Sequence, residues 1–186
     1  MSIAVVTYPR SGSTYLSWLL GYSFGMQIDK FHLDQMGQLD SLVNYDCTIT
    51  TIREPIESIA SIVSMESIYF RGNQDFYDYT NKTIQIRINQ YVNFYMLAQE
   101  HTNLHFDYNI INSKRKELVD YVSNFTNNKI INHGYVDLVK DQPAKGFLRT
   151  SKNAKDYDKI VSMVKEHDLS KCLEIHNACI QNVVHL

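Results

Sequence analysis

Ile3-Ala4-Val5-Val6-Thr7-Tyr8-Pro9-Arg10-Ser11-Gly12-Ser13-Thr14-Tyr15-Leu16-Ser17-Trp18-Leu19-Leu20 changes character twice in a short space. Residues 3–6 are apolar and rich in β-branched side chains, too few for a helix, and read as a buried strand. From Tyr15 onward, Leu16, Leu19 and Leu20 fall on one face at helical spacing. The join between strand and helix is made of Ser, Thr, Gly and one Arg. Such a join can hold a phosphate, because the free N–H groups of the first helical turn point outward and the helix dipole favours negative charge there. Hydroxyls and a guanidinium add donors to the same spot. The same residues also fit a plain turn capped by Ser or Thr, with no ligand. On this stretch alone both readings stand.

Working outward, Met26 to Leu33 reads as a short strand or an ordered loop. Cys47-Thr48-Ile49-Thr50-Thr51-Ile52 is a second buried strand that stops abruptly at Arg53-Glu54-Pro55. Pro55 suits the first turn of a helix whose apolar face carries Ile56, Ile59, Ala60 and Val63. Arg71-Gly72-Asn73 signals a turn. The clearest helix spans about 81–100, where Ile84, Ile88, Tyr91, Val92, Tyr95 and Ala98 keep the three-to-four spacing. Residues 104–108 alternate like a strand, and Ser113 is the expected cap of a helix that turns Leu118, Val122 and Phe125 inward. Residues 140–155 read as a loop interrupted by Pro143 and Gly146. It carries Lys140, Lys145, Arg149, Lys152 and Lys155 against the single acid Asp141. Helical spacing returns from Tyr157 in two pieces, with Ser170 as the expected cap between them. Strands alternating with helices over 186 residues, with no linker or repeat, predict one α/β domain, 1–186, around a mostly parallel sheet flanked by helices.

Bulk properties narrow the function. Apolar content of 44% and charged content of 20% are those of an ordinary globular domain. A net charge of −2 gives no general attraction to nucleic acid or an anionic membrane, so an anion site must be local. Cys47, Cys172 and Cys179 form no CxxC, have no zinc spacing with His, and read as buried free thiols of a reducing, cytoplasmic compartment. No metal site is expected. The chain start lacks the basic and apolar regions of a signal peptide, and no run approaches the roughly 18 apolar residues of a membrane span.

In open α/β sheets, ligands sit beyond the carboxyl ends of parallel strands. The turns at 7–14 and 53–55 both leave such ends. If their strands are neighbours, Arg10 and Arg53 converge on one crevice, with Ser61 two turns into the second helix on the same side.

These residues carry a resemblance. Thr7-Tyr8-Pro9-Arg10-Ser11-Gly12-Ser13-Thr14 resembles the 5′-phosphosulfate loop of the sulfotransferases that use 3′-phosphoadenylyl sulfate (PAPS). Arg53-Glu54-Pro55, with Ser61 eight residues after the Arg, resembles their 3′-phosphate motif. His32, in Lys30-Phe31-His32-Leu33, stands roughly where cytosolic members place a catalytic His. The ordered matches run from residue 3 to about 126. The resemblance implies a three-layer P-loop-like fold and transfer of a sulfuryl group from PAPS to the hydroxyl or amine of a small-molecule, carbohydrate or peptide acceptor, leaving adenosine 3′,5′-bisphosphate (PAP). It assigns the donor's bridging oxygen to Arg10, the 5′-phosphate to Ser11, Gly12, Ser13 and Thr14, and the adenine side to Tyr15. It assigns the 3′-phosphate to Arg53 and Ser61, and deprotonation of the acceptor to His32. Glu57, Asp34 and Glu66 are alternative bases, since some branches use a carboxylate.

The expected chemistry agrees with the residues. Sulfuryl transfer, like phosphoryl transfer, depends on positioning and on stabilising spread negative charge. Arg10 replaces the Lys of cytosolic members, as in the carbohydrate and tyrosyl-protein branches, and acts by charge and not as an acid. The family's late Arg-Lys-Gly lid is absent as such. Lys145-Gly146 and the run from Arg149 to Lys152 are its nearest substitutes, expected to cover the 3′-phosphate. A P-loop nucleotide or metabolite kinase is the rival, but Ser13 stands where its Lys belongs, no Gly opens the loop, and no acidic strand end offers an obvious magnesium ligand. A non-catalytic nucleotide-binding adaptor of the same fold is the other.

Overall fold

The two apolar runs, β1 (Ile3–Val6) and β3 (Cys47–Ile52), lie side by side and parallel, with Val5 opposite Ile49. Every residue of both strands is buried, as expected for central strands covered on both faces. This computed structural model describes residues 1–32, 39–69, 76–134 and 156–186. β2 (Asp29–Phe31) pairs with β1, and β4 (Leu104–Asp107) with β3, giving a four-stranded, all-parallel sheet in the order β2-β1-β3-β4.

Alternation along the strands divides the core between two faces. Ile3, Val5, Cys47, Ile49, Leu104 and Phe106 meet α1 (Ser13–Phe24) and α6 (Arg115–Thr126), through Leu16, Leu19, Leu118 and Val122. Val6 and Ile52 face the other way. There they meet α3 (Pro55–Tyr69), α4 (Phe76–His101), α7 (Tyr157–Lys165) and α8 (Ser170–Gln181). Short helix α2 (Leu39–Leu42) lies between β2 and β3 in the chain, and α5 (Ile110–Ser113) between β4 and α6. Helices on both faces of a parallel sheet make the α/β arrangement expected. No described helix is long and apolar enough to cross a membrane. Cys47, Cys172 and Cys179 are buried free thiols, as read from their spacing.

Some local expectations are corrected. Ser113 caps nothing. It ends α5, donating to the Asn109 carbonyl at 2.9 Å, and α6 starts after Lys114. Phe125 is 44% exposed, because the buried arc of α6 centres between Val119 and Val122 and leaves it at the margin. Ser170 is already helical. The Asp168 carboxylate accepts its N–H at 2.9 Å, a bond that holds the Asp168 carboxyl below the usual range. The turn at Arg71-Gly72-Asn73 lies outside the described residues.

Candidate functional site

β1 runs through α1 to a partner on one side, while β3 sends its chain to β4 on the other. The order therefore reverses between β1 and β3, and in open α/β sheets the ligand crevice lies beyond the carboxyl ends of the strands at such a point. The turn after β1 and Arg53 after β3 flank this crevice.

Tyr8 anchors the first turn. Its ring is buried among Tyr91, Phe94 and Tyr95, with centroids 5.3, 5.9 and 6.3 Å away, and its hydroxyl donates to the Arg87 carbonyl at 3.0 Å. Burial, above all, pushes its phenol pKa up. The Ser11 N–H closes the turn on the Tyr8 carbonyl at 3.1 Å. Arg10 and Gly12 both take left-handed backbone, φ 68° and 86°. Gly12 suits this place: any other residue would be strained at its positive φ, and a Cβ there would stand 3.0 Å from Tyr108 Cε2 and 3.2 Å from Ile111 Cδ1. Gly12 is also the N-cap of α1, and no side chain among the described residues caps it. A Ser- or Thr-capped turn is therefore not what the chain builds. The leading N–H groups of α1 lack intrahelical acceptors by helix geometry and are available to an anion.

The end of β3 reaches into this turn. Thr51 Oγ1 donates to the Ser11 carbonyl at 2.5 Å, and Arg53 Nη1 donates to the Arg10 carbonyl at 2.7 Å. Arg53 Nη2 donates to Glu57 Oε2 at 3.1 Å, and the guanidinium carbon lies 4.7 Å from the centre of the Tyr108 ring. Arg53 is only 8% exposed, and its Nε is a buried donor without a partner among the described residues, as is the hydroxyl of Thr7. Arg10 Nε donates to the buried Ser61 Oγ at 3.3 Å. Burial first, and the Arg53 charge second, pull the Arg10 pKa below its ordinary value. An anion beside Arg10 would offset both the burial and the Arg53 charge that disfavour its charged form.

The remaining predicted residues divide. Ser13 is buried, whereas Thr14 is exposed and accepts a bond from Lys30 Nζ at 3.2 Å. Tyr15 packs with the cluster under α1 and α6, and burial raises its phenol pKa. His32 follows β2 and sits 2.9 Å from the Thr7 carbonyl through Nδ1. A carbonyl only accepts, so Nδ1 is the donor in this contact. Of the alternative bases, Glu57 is held by Arg53, and both Glu66 oxygens are bound by Arg87. Asp34, the Lys145-Gly146 pair, Arg149 and Lys152 lie outside the described residues.

Several residues at the site escaped sequence reasoning. Thr51, Tyr108 and Lys30 are three. Tyr91 and Tyr95 of α4 are two more: their hydroxyls donate to the Arg53 and Thr51 carbonyls at 2.7 and 3.0 Å, and the Arg53 N–H donates back to Tyr95 at 3.3 Å. Their helical spacing marked them as core, and nothing in that spacing shows where a phenol ends. Beside Glu57 an open cleft of about 440 Å³ is lined by Glu54, Ile56, Tyr157, Asp158, Val161 and Lys165. No protein-family model matches this chain, and a search of the curated proteins finds no match, so the reading of the site rests on its residues.

Proposed function

We propose that the chain is a cytoplasmic sulfotransferase, moving a sulfuryl group from PAPS to an acceptor hydroxyl or amine. One observation carries this reading. Arg10 and Arg53, from opposite sides of the switch point, are joined by a 2.7 Å bond beside a helix N-terminus that no side chain caps.

The chain's own groups fit such a ligand. Gly12, Ser13 and Thr14 offer N–H groups to a 5′-phosphate, and the Arg53 guanidinium stands at the other strand end as the charge for a 3′-phosphate. The donor, as an acid anhydride, supplies its own leaving group. Arg10 contributes fixed positive charge where negative charge spreads during transfer, a kind of stabilisation worth about 10²–10³ in rate per donor. Ser61 acts through Arg10, whose Nε it accepts. His32, whose Nδ1 donates to the Thr7 carbonyl, presents Nε2 as the nitrogen that can take the acceptor's proton.

Thermal unfolding with PAP and PAPS, compared with ATP–Mg²⁺, tests the reading. A ligand at about 100 times its Kd adds about 2.7 kcal/mol. PAP and PAPS are expected to raise the Tm. A rise with ATP–Mg²⁺ and none with PAP overturns the sulfotransferase reading in favour of a kinase.

A further inference from the structure

The bonds that β3 makes into the first turn go to backbone carbonyls. Among the described residues only Arg10 and Asn127 have positive φ without being glycine. Asn tolerates that conformation, and Asn127 takes it at the C-cap of α6. Arg does not, because its Cβ crowds the carbonyl that follows. That carbonyl is the one Arg53 Nη1 grips at 2.7 Å.

We propose that Arg53 is a positioning residue for the first turn, besides any contact it makes with a 3′-phosphate. In a trans peptide, C=O and the next N–H point in opposite directions. With the Arg10 carbonyl drawn to Arg53, the Ser11 N–H turns to the Tyr8 carbonyl, 3.1 Å away, and shuts the turn. With the Ser11 carbonyl drawn to Thr51, the Gly12 N–H points away from β3. Thr51 and Arg53 thus aim the donors of the turn, and one guanidinium couples the two ends of the crevice. For its ligand this inference rests on the proposed function. For its geometry it does not.

Adenosine monophosphates separate the two roles. 5′-AMP has no 3′-phosphate for Arg53 to bind, and 3′-AMP has no phosphate for the turn. Calorimetry should show 5′-AMP affinity falling about 5- to 30-fold in Arg53→Ala, the factor for releasing a left-handed Arg. Thr51→Val, which changes no charge, should weaken 5′-AMP in the same direction. In the ligand-free protein, the Ser11 amide should exchange with solvent faster in both variants. Unchanged 5′-AMP affinity and unchanged Ser11 exchange in Arg53→Ala, with 3′-AMP binding lost, overturn the bracing role. If no adenosine phosphate binds the wild-type protein, the proposed function fails, and Ser11 exchange alone still decides: faster supports the brace, unchanged refutes it.

Discussion

The two strand ends that flank the crevice are built in opposite ways. The end of β1 takes its shape from backbone: two left-handed residues, a turn closed by an N–H to carbonyl bond, and a helix start with no capping side chain. The end of β3 takes its shape from side chains, with Tyr91 and Tyr95 holding the strand and Arg53 buried between strand and Tyr108. A backbone device fails when a side chain is added. A side-chain device fails when one polar atom is removed. The crevice needs both, because the second end holds the first in place.

The largest effect is expected at the backbone device. Gly12→Val forces a β-branched residue to φ 86° and crowds it against Tyr108, whose Cε2 a Cβ would meet at 3.0 Å. Left-handed strain and overpacking together should cost about 3 kcal/mol, read as a lower urea midpoint. Replacing Tyr108 by Ala beside Gly12→Ala should return the steric share and leave the strain. A midpoint unmoved by Gly12→Val contradicts the tight fit of this turn.

A smaller loss is expected at the side-chain device. Tyr91→Phe deletes the 2.7 Å bond to the Arg53 carbonyl and leaves that carbonyl buried, which should cost about 1–2 kcal/mol. The phenol is all that is lost, so the m-value should not change. If Tyr91→Phe leaves the urea midpoint in place, the bracket is not what holds β3.

The smallest effect is on pH. Burial, first of all, lowers the pKa of His105 on β4 and of His176 on α8, the latter against the opposing pull of Glu54 and Asp107. The folded state therefore favours neutral imidazoles, and the unfolded chain binds more protons below its ordinary value of about 6.5. Stability should be whole above that value and fall as pH drops through it towards the lowered folded values. His105→Gln should flatten this slope, and an equal slope in both proteins would clear His105 of the role.

Much of the frame was legible because it rests on periodicity. Ile3–Val6 and Cys47–Ile52 are uninterrupted apolar or β-branched runs, and Ile84 to Ala98 keep helical spacing over several turns. The meeting of Arg10 and Arg53 followed from one condition, adjacency of β1 and β3, which the sheet satisfies. What stayed hidden depends on three-dimensional neighbours. Tyr108 roofs Gly12 only because β4 lies beside β3. The sequence places Ser61 only on the same side, and that it is buried and accepts from Arg10 Nε depends on how α3 meets the first turn. Arg10 itself is left-handed, and no local rule assigns that conformation to an arginine. Capping expectations at Ser113 and Ser170 failed because Lys114 and Leu169 hold the N-cap positions.

The central claim is that both strand ends hold one ligand, and residue-resolved amide shifts on titration with PAP test it directly. The account predicts that amides of Gly12, Ser13 and Thr14 move together with that of Arg53, along one saturation curve, and that ATP–Mg²⁺ does not reproduce the pattern. Shifts confined to one strand end, or absent from both, would contradict it.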